Sequence, residues 1–303
     1  MGQLEDMALF AKIVESGSIT GAADHLGLAK SAVSKRLSDL EESLGVQLLN
    51  RTTRKSSLTE AGQRFYTQSQ KILADTDEML NEIGQEGTSL TGNLRIAAPL
   101  SFGIKHLSPV VSRFAANHPG LTVDLDFADR QVNLVEEGFD VAIRIAELES
   151  SSLIAKRFTT IRHILCASPT YLEKHPAPKH PKDLDQHRIL RYKSPSGLAH
   201  QLKDANGQSF DLTGKTALIS NNGDFLRQAA KDGLGIYFCP SFICYEELKS
   251  GQLMRLLPEF SATELGAYIL YPRTRYLSSR VRTFIDHVTN SFSQHPYWDE
   301  GLF

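Results

Sequence analysis

Cysteine is scarce in this 303-residue chain, which carries three cysteines and one tryptophan. The three cysteines, Cys166, Cys239 and Cys244, are odd in number and form no Cys-x-x-Cys pair, so a disulfide framework is excluded and a reduced compartment is favoured. No apolar run approaches the roughly 20 residues of a membrane-spanning helix. The first ten residues, MGQLEDMALF, lack the basic lead and apolar core of a signal peptide. We therefore expect a cytoplasmic protein with no membrane partner.

Charge of either sign is not in excess. The chain has 33 Lys and Arg residues against 35 Asp and Glu residues, which leaves a formal charge of −2. Such a chain has no global attraction for nucleic acid, so any DNA binding must come from a local basic patch. The length is enough for two or three domains, so such a patch can occupy one of them.

Catalytic motifs are missing as well. The chain contains no Gly-x-Ser-x-Gly, His-Glu-x-x-His or Gly-x-Gly-x-x-Gly motif. Segment 207–216, GQSFDLTGKT, resembles a phosphate-binding loop, but Ser209 stands where that loop requires Gly. His175 and His180 lie in a proline-rich segment, where a solvated loop is favoured over a metal site. We predict that the chain is not an enzyme and binds no metal.

The first 58 residues are rich in helical periodicity, and they predict a small helical domain. Ser18 is a candidate N-cap for a short helix over residues 19–26, and Gly27 stands where a helix-ending glycine belongs. A further helix follows over residues 30–44. A helix, a tight turn containing Gly and a second helix with polar outer positions form the plan of a DNA-binding helix-turn-helix, here over 19–38.

The second of these helices presents short donors and cations, as contact with base edges and phosphates requires. A polar and basic segment, 51–58, follows it and favours a short β-ribbon whose cations can track phosphates. The alternative is an ordinary solvated basic face. The predicted DNA-binding residues are Lys30, Ser31, Ser34, Lys35, Arg36, Ser38, Arg51, Arg54 and Lys55.

A long helix is predicted over residues 59–83, capped by Thr59 or by Ser57, and residues 84–92 form a glycine-containing hinge. Apolar residues recur in this helix every seven positions, a spacing typical of helix pairing. The alternative is that the helix packs on its own domain. The predicted dimerisation residues are Phe65, Ile72, Leu73, Met79 and Leu80.

From residue 93 onward, strand-like and helix-like segments alternate, which predicts an α/β region with a largely parallel or mixed sheet. Ligands in such sheets bind beyond the carboxyl ends of the strands, where helix N-termini converge and favour an anion. Ser101 and Asn222 have helix capping as an alternative role, and Arg144 has an internal ion pair. The predicted effector-binding residues are Ser101, Phe102, Phe127, Arg144, Asn221, Asn222 and Pro240.

Four segments resemble the LysR-type family of transcriptional regulators. Residues 14–51, VESGSITGAADHLGLAKSAVSKRLSDLEESLGVQLLNR, follow its helix-turn-helix, and residues 51–62, RTTRKSSLTEAG, follow its wing and the start of its linker helix. Segments 165–175, LCASPTYLEKH, and 270–288 resemble its effector domain. The chain departs from the family pattern at Ala29, where Ser or Thr often caps the recognition helix, and at Lys30, where Gln is frequent.

The resemblance implies a multidomain α+β protein with an N-terminal winged helix-turn-helix, a long linker helix and a periplasmic-binding-protein-like effector domain of two Rossmann-like subdomains. It places the crossovers near Arg162 and Gly266, so subdomain 1 takes residues 93–162 and 267–303 and subdomain 2 takes residues 163–266. It also implies a dimer or tetramer, double-stranded promoter DNA and RNA polymerase as partners, and a small-molecule co-inducer in place of any other cofactor.

The sequence thus predicts a DNA-binding transcriptional regulator controlled by a small, anionic effector held between two α/β subdomains. Two alternatives stay open. One is an oxidant sensor of the same architecture, acting through Cys239, Cys244 or a methionine. The other is an α/β enzyme with an accessory winged helix, which turnover of carboxylate metabolites would support.

Overall fold

A computed structural model describes residues 2–50, 57–84, 90–127, 129–130, 132–147, 153–193, 201–273 and 277–303. Within the linker helix it describes the backbone throughout, but not the side chains at 77, 78 and 80–84. The predicted DNA contacts Arg51, Arg54 and Lys55 therefore lie outside the described residues, as does the side chain of Leu80.

The N-terminal domain is a helical unit with a two-stranded ribbon, made of α1 (Gln3–Glu15), α2 (Ile19–Leu26), α3 (Lys30–Leu44), β1 (Leu49–Asn50) and β2 (Ser57–Leu58). Helix α2 begins where Ser18 accepts a hydrogen bond from the Gly21 amide and ends at Gly27, whose φ of 64° is left-handed. The buried faces of α1, α2 and α3 meet in a core that includes Phe10, Ala22 and Val33.

Glu41 is buried near the end of α3, and it connects that helix to the ribbon. Its Oε1 accepts hydrogen bonds from the amides of Leu48, at 2.8 Å, and Leu49, at 3.2 Å. Thr59 makes a similar connection at the start of the linker helix, because its hydroxyl donates to the Gln47 carbonyl and accepts from the Gly62 amide. Of the two predicted caps, Thr59 fills the role, while Ser57 lies in the ribbon.

The linker helix α4 (Glu60–Gly84) contacts two domains. Its first turns pack on α1, where the ring centroids of Phe10 and Phe65 are 5.4 Å apart. Further along, Lys71 Nζ lies 3.0 Å from the Asp140 carboxylate, and Asp75 accepts a 2.6 Å hydrogen bond from the 1%-exposed Arg280. Both partners belong to the α/β region, so the linker helix is joined to that region by ion pairs.

The first lobe of the α/β region is a five-stranded sheet in the order β4-β3-β5-β15-β6, in which β3 runs parallel to β4 and β5 while β15 is antiparallel to β5 and β6. A π-helical turn at Gly103–Leu107 joins two of its helices. Its elements are β3 (Gly92–Ala98), α5 (Leu100–Phe102), α6 (Ser108–Asn117), β4 (Leu121–Phe127), α7 (Leu134–Glu137), β5 (Val141–Ala146), β6 (Leu153–Ile161), β15 (Leu265–Pro272) and α11 (Ser279–Ser291).

The second lobe has a five-stranded sheet in the order β11-β8-β12-β7-β13 and a three-stranded sheet in the order β10-β9-β14. In the larger sheet, β12 is parallel to β8 and antiparallel to β7. The elements are β7 (His163–Ala167), α8 (Pro169–Leu172), β8 (Arg188–Tyr192), β9 (Gln201–Lys203), β10 (Ser209–Asp211), β11 (Lys215–Ser220), α9 (Gly223–Lys231), β12 (Ile236–Pro240), α10 (Ser241–Lys249), β13 (Met254–Leu256) and β14 (Ser261–Ala262).

The chain passes between the lobes twice, and Arg162 ties both passages together. This residue lies between β6 and β7, at the first passage. Its guanidinium donates to Glu264, which precedes β15 at the second passage, at 2.6 Å, and to Asp299 of the C-terminal segment at 2.8 Å. One apolar cluster also runs through both lobes, since it contains Leu94 and Tyr237. The lobes are therefore packed together on the side of the passages.

The C-terminal segment adds to this junction. Trp298 is completely buried, with its ring 4.4 Å from that of His106 in the first lobe. His106 Nε2 lies 3.0 Å from the Phe242 carbonyl oxygen and Nδ1 lies 2.6 Å from the Tyr297 hydroxyl, so Nε2–H donates and Nδ1 accepts. Burial lowers the pKa of His106 to about 4, which keeps this bridge neutral at pH 7.

None of the helices in the described residues combines the length and the apolar character needed to cross a membrane. The same part of the chain contains no group of three or more His, Cys, Asp or Glu side chains arranged to hold a metal ion.

Replacement of Glu41 by Ala is expected to destabilise the N-terminal domain by about 2–4 kcal/mol, because it leaves two buried amides without an acceptor. Glu41→Gln should cost less, since an amide oxygen still accepts. Chemical denaturation followed by circular dichroism measures both. The control is Glu42→Ala, which removes the same charge from the next, exposed position; equal losses for Glu41→Ala and Glu42→Ala would contradict the assignment.

Candidate nucleic-acid interface and interlobe cleft

Helix α3 carries the predicted DNA-facing residues on its outer side. Lys30, Ser31 and Lys35 are exposed, and Ser34 and Ser38 are half-buried. The helix N-cap is Ala29, which supplies no side-chain hydrogen bond. Because no side chain covers the first amides of the helix, they are free to meet a phosphate. The exposed face thus offers two ammonium groups and a hydroxyl within two helical turns.

Arg36 differs from its neighbours, and the prediction that it faces DNA does not agree with its position. Its guanidinium donates to Asp6 on α1 at 2.9 Å and lies 3.6 Å from Glu5. The side chain is only 23% exposed. Residue 36 is one position from the exposed Lys35 on the helix, which turns it toward α1 and its two acidic residues. We therefore assign Arg36 to packing α3 on α1.

The predicted dimerisation residues divide into two groups. Ile72 and Met79, seven residues apart, are 40% and 51% exposed. Leu73 is half-buried. Phe65, by contrast, packs against the core of the N-terminal domain. This part of the helix therefore follows the alternative, in which the helix packs on its own domain. Ile72 and Met79 remain available to a partner helix.

The two lobes meet at a cleft beyond the end of β3, where side chains of the two lobes are hydrogen-bonded to each other. Ser101 in α5 donates to Asp224 Oδ2 in α9 at 2.6 Å. Lys105 Nζ of the first lobe lies 3.6 Å from the other carboxylate oxygen. Asn222 accepts from the Phe225 amide at 2.8 Å, so it fills the alternative role of a helix cap. Ser101 does reach the cleft, but its partner Asp224 was not predicted.

A second carboxylate, Asp129, lies on the first-lobe side of the same cleft. It accepts a hydrogen bond from the Leu100 amide at 3.1 Å and another from the Tyr192 hydroxyl of the second lobe. Burial raises the pKa of Asp129, and the negative charge of Asp224 contributes. Burial and the neighbouring Asp129 raise the pKa of Tyr192 to about 12. Neither residue was predicted, because a single Asp in a loop and a single Tyr at the end of a strand carry no sequence signal.

Phe102 was predicted to line the cleft, and that prediction is wrong. Its ring is completely buried in an aromatic cluster, 5.4 Å from Phe242 and 5.9 Å from Trp298. The reason is helical geometry, since adjacent residues point in directions about 100° apart: Ser101 faces the cleft and Phe102 faces the core. The only tryptophan of the sequence therefore packs against Phe102. The two residues are 196 positions apart in the sequence, so no local pattern predicts this contact.

The other predicted cleft residues occupy different places. Phe127 ends β4 and packs closely over Gly103, where an added Cβ would collide with its ring. Asn221 is exposed, and Pro240 is half-buried at the start of α10. Arg144 is half-buried on β5, on the sheet face that it shares with Ala142 and away from the main core. Among the described residues its side chain forms no ion pair, so the internal pairing alternative is not seen there.

The three cysteines form a cluster inside the second lobe. All three are buried and reduced, and their thiols donate to backbone carbonyl oxygens, Cys166 to that of Tyr237 and both Cys239 and Cys244 to that of Pro240. Burial raises the pKa of Cys239 and Cys244 well above the ordinary value, which holds them as thiols at neutral pH. Because the thiolate is the reactive form, the raised pKa of Cys239 and Cys244 opposes their reaction with oxidants. The neighbouring Cys239 and Cys244 lower the pKa of Cys166, and its complete burial is what shields that sulfur.

Comparison with protein families matches both halves of the chain. Residues 4–63 match the model of the bacterial regulatory helix-turn-helix protein of the lysR family, and residues 87–293 match the LysR substrate binding domain. The chain belongs to the LysR family of transcriptional regulators. The predicted family, fold class and regulatory function are therefore confirmed: a LysR-type regulator has a DNA-binding helix-turn-helix and an effector-binding domain.

Several LysR-type proteins are similar over nearly the whole length. An uncharacterised HTH-type transcriptional regulator of Haemophilus influenzae is 37% identical, with 93% of this chain and 98% of that protein covered. The HTH-type transcriptional activator TtdR of Escherichia coli K12 is 34% identical, with 93% and 91% covered. The full-length structure of the Vibrio cholerae virulence activator AphB is 32% identical with a TM-score of 0.61, and 95% and 99% of the two chains are covered.

Membership of the LysR family also decides between a transcriptional regulator and the alternative of an α/β enzyme with an accessory winged helix. The family and its named relatives regulate transcription, so the chain is a regulator and not an enzyme. LysR regulators bind DNA and small-molecule effectors and form oligomers. The contacts described above therefore belong to a DNA-reading head and an effector-binding domain.

The buried thiols generate a prediction about reactivity. In the native protein, Ellman's reagent at pH 8 is expected to modify fewer than one thiol per chain within minutes, and all three after unfolding in guanidinium, because the reagent needs an accessible thiolate. The absorbance of the released thiolate measures the count. Rapid modification of two or three thiols in the folded protein would instead support the oxidant-sensing alternative.

Proposed function

We propose that this regulator binds promoter DNA through the exposed face of α3 and the adjoining ribbon, and that a small anionic effector in the interlobe cleft controls it. The observation that carries the DNA part is the grouping of Lys30, Ser31 and Lys35 on one exposed face of a helix-turn-helix. In a chain with a net charge of −2, this local patch supplies the attraction for phosphates.

The cleft supports an anionic effector through its helix termini. Helices α5 and α9 both begin at the cleft, and the longer one, α9, brings the partial positive charge of its N-terminus to it. Ser101 and Lys105 add a hydroxyl and an ammonium group from the first lobe. An effector held by both lobes has different affinities for different lobe arrangements, which is the requirement for a ligand to shift a conformational equilibrium.

Assembly into a dimer or tetramer is part of the same proposal, with Ile72 and Met79 of α4 at the helix pairing surface. Two recognition helices held together favour a pseudo-palindromic DNA site. We further propose a cytoplasmic location and contact with RNA polymerase at the promoter, both of which follow from the role of a transcriptional regulator.

Replacement of Lys35 by Ala is expected to weaken DNA binding about tenfold and to reduce the salt dependence of binding by about one phosphate contact. A duplex selected by the wild-type protein from a randomised library serves as the target, and fluorescence anisotropy at several salt concentrations gives the affinity.

The matched control for Lys35 is the adjacent cation Arg36. Arg36→Ala should lower the unfolding temperature, because it breaks the contact with Asp6, and should leave the salt slope unchanged. Lys12→Ala, on the exposed part of α1, should change neither quantity. Unchanged affinity and salt slope for Lys35→Ala would contradict the placement of α3 in the groove.

Replacement of both Ile72 and Met79 by Glu is expected to reduce the oligomer mass, because four or more charges would meet at a paired apolar seam. Multi-angle light scattering of the full chain measures the mass, and circular dichroism shows whether the fold is kept. The same charge placed at Lys71, on the side that contacts Asp140, is the control and should loosen the linker without dissociating the oligomer. A wild-type mass for the double variant would exclude this seam.

A further inference from the structure

The N-terminus of α9 presents hydrogen-bond donors that the protein does not use. Asn222 caps the amide of Phe225, but the amides of Gly223 and Asp224 have no acceptor in the described part of the chain. These two amides belong to the first turn, where no helical carbonyl can reach them. The helix dipole makes them favourable toward a negative group.

A buried hydroxyl points to the same spot. Tyr237 has no exposed surface, and its hydroxyl has no hydrogen-bond partner among the described residues. A Cβ on Gly223 would lie 3.4 Å from this hydroxyl and 3.7 Å from Ser101 Oγ, so both hydroxyls lie at the start of α9. Burial raises the pKa of Tyr237 well above its ordinary value, so the hydroxyl remains a donor. An unsatisfied buried donor beside free amides indicates a missing acceptor.

The Asp224 carboxylate already occupies the polar groups that the first lobe presents to this spot. It accepts the Ser101 hydroxyl at 2.6 Å, and it lies 3.6 Å from Lys105 Nζ and 3.4 Å from an Arg227 nitrogen. A carboxylate from the second lobe is thus held by a hydroxyl of the first lobe, as a ligand carboxylate would be. Because both cations contact Asp224 as well, its charge stays compensated when the Ser101 bond is broken.

We propose that Asp224 is a built-in competitor of the effector: a carboxylate on the effector binds the Tyr237 hydroxyl and the amides of Gly223 and Asp224, and takes the place of the Asp224 carboxylate at the Ser101 hydroxyl. This inference rests on the proposed binding of an anionic effector in the cleft. Effector binding then replaces the direct hydrogen bond between the lobes by hydrogen bonds from both lobes to the effector. The free energy of the Ser101–Asp224 hydrogen bond is therefore lost from the free energy of effector binding.

The test measures binding of acetate and succinate to the full chain by isothermal titration calorimetry, with succinamide as the uncharged probe. Asp224→Asn keeps an oxygen for Ser101 but removes the competing charge, so it should bind succinate about tenfold more tightly than the wild type. Its binding of succinamide should be unchanged. Adding Tyr237→Phe to Asp224→Asn should weaken succinate binding about tenfold, because one donor is lost.

Two controls separate competition from other effects. Asp232→Asn removes one negative charge at the far end of α9 and should leave succinate binding as in the wild type. Ser101→Ala breaks the same bond from the other lobe but also removes a donor, so it should not reproduce the gain of Asp224→Asn. An equal gain in either control would overturn the proposal, since charge or loosening of the lobes would then explain it.

The remaining outcomes of the succinate titrations distinguish failure of the competition from failure of the effector site. If the wild type and Asp224→Asn bind succinate equally, and Tyr237→Phe weakens both, the cleft remains the effector site and the competition is overturned. If no carboxylate binds Asp224→Asn, both the competition and the acceptor role of the α9 terminus are overturned. DNA binding by α3 is measured without any effector, so neither outcome depends on it.

Discussion

A single guanidinium fixes the geometry on which the effector domain depends. Arg162 lies where the chain first leaves the first lobe, and it holds Glu264 at the return passage and Asp299 beyond the last helix. Arg162 is thus joined to two segments that lie 102 and 137 positions further along the chain. Because the Asp299 side chain is almost completely buried, loss of Arg162 would leave an uncompensated buried carboxylate at the junction. The junction therefore resists separation of the lobes.

The cleft side is held more weakly than the junction. There, the described residues that join the lobes centre on Ser101 and Asp224, with Asp129 and Tyr192 beside them. The first lobe is in turn joined to the linker helix, most tightly by the buried Arg280. In the proposed mechanism, a change in the cleft therefore moves the second lobe relative to a unit made of the first lobe and the linker helix. This arrangement connects events in the cleft to the position of the DNA-reading head.

Local signals predicted the N-terminal domain well, and long-range contacts limited the prediction elsewhere. Helix α2 was predicted with both its ends because Ser18 and Gly27 act within a few residues of the backbone that they cap. Beyond residue 93, the alternation of strand-like and helix-like segments predicted an α/β region, but it does not give the order of the strands, in which β15 lies between β5 and β6. Arg36 and Phe102 were misplaced because their partners, Asp6 and Trp298, are distant in sequence.

The cleft shows most clearly what a sequence pattern can and cannot supply. Ser101 was predicted from its position after a strand alone, so the prediction did not require knowledge of the residue that it contacts. Asp224 is separated from it by 123 residues, and only the folded chain brings them to 2.6 Å. A hydrogen bond to an ionised group contributes about 1.5–3 kcal/mol, which is small beside the packing of the junction. In the proposed competition, an effector therefore exchanges this bond without unfolding either lobe, because the contacts of Arg162 hold the lobes together on the other side.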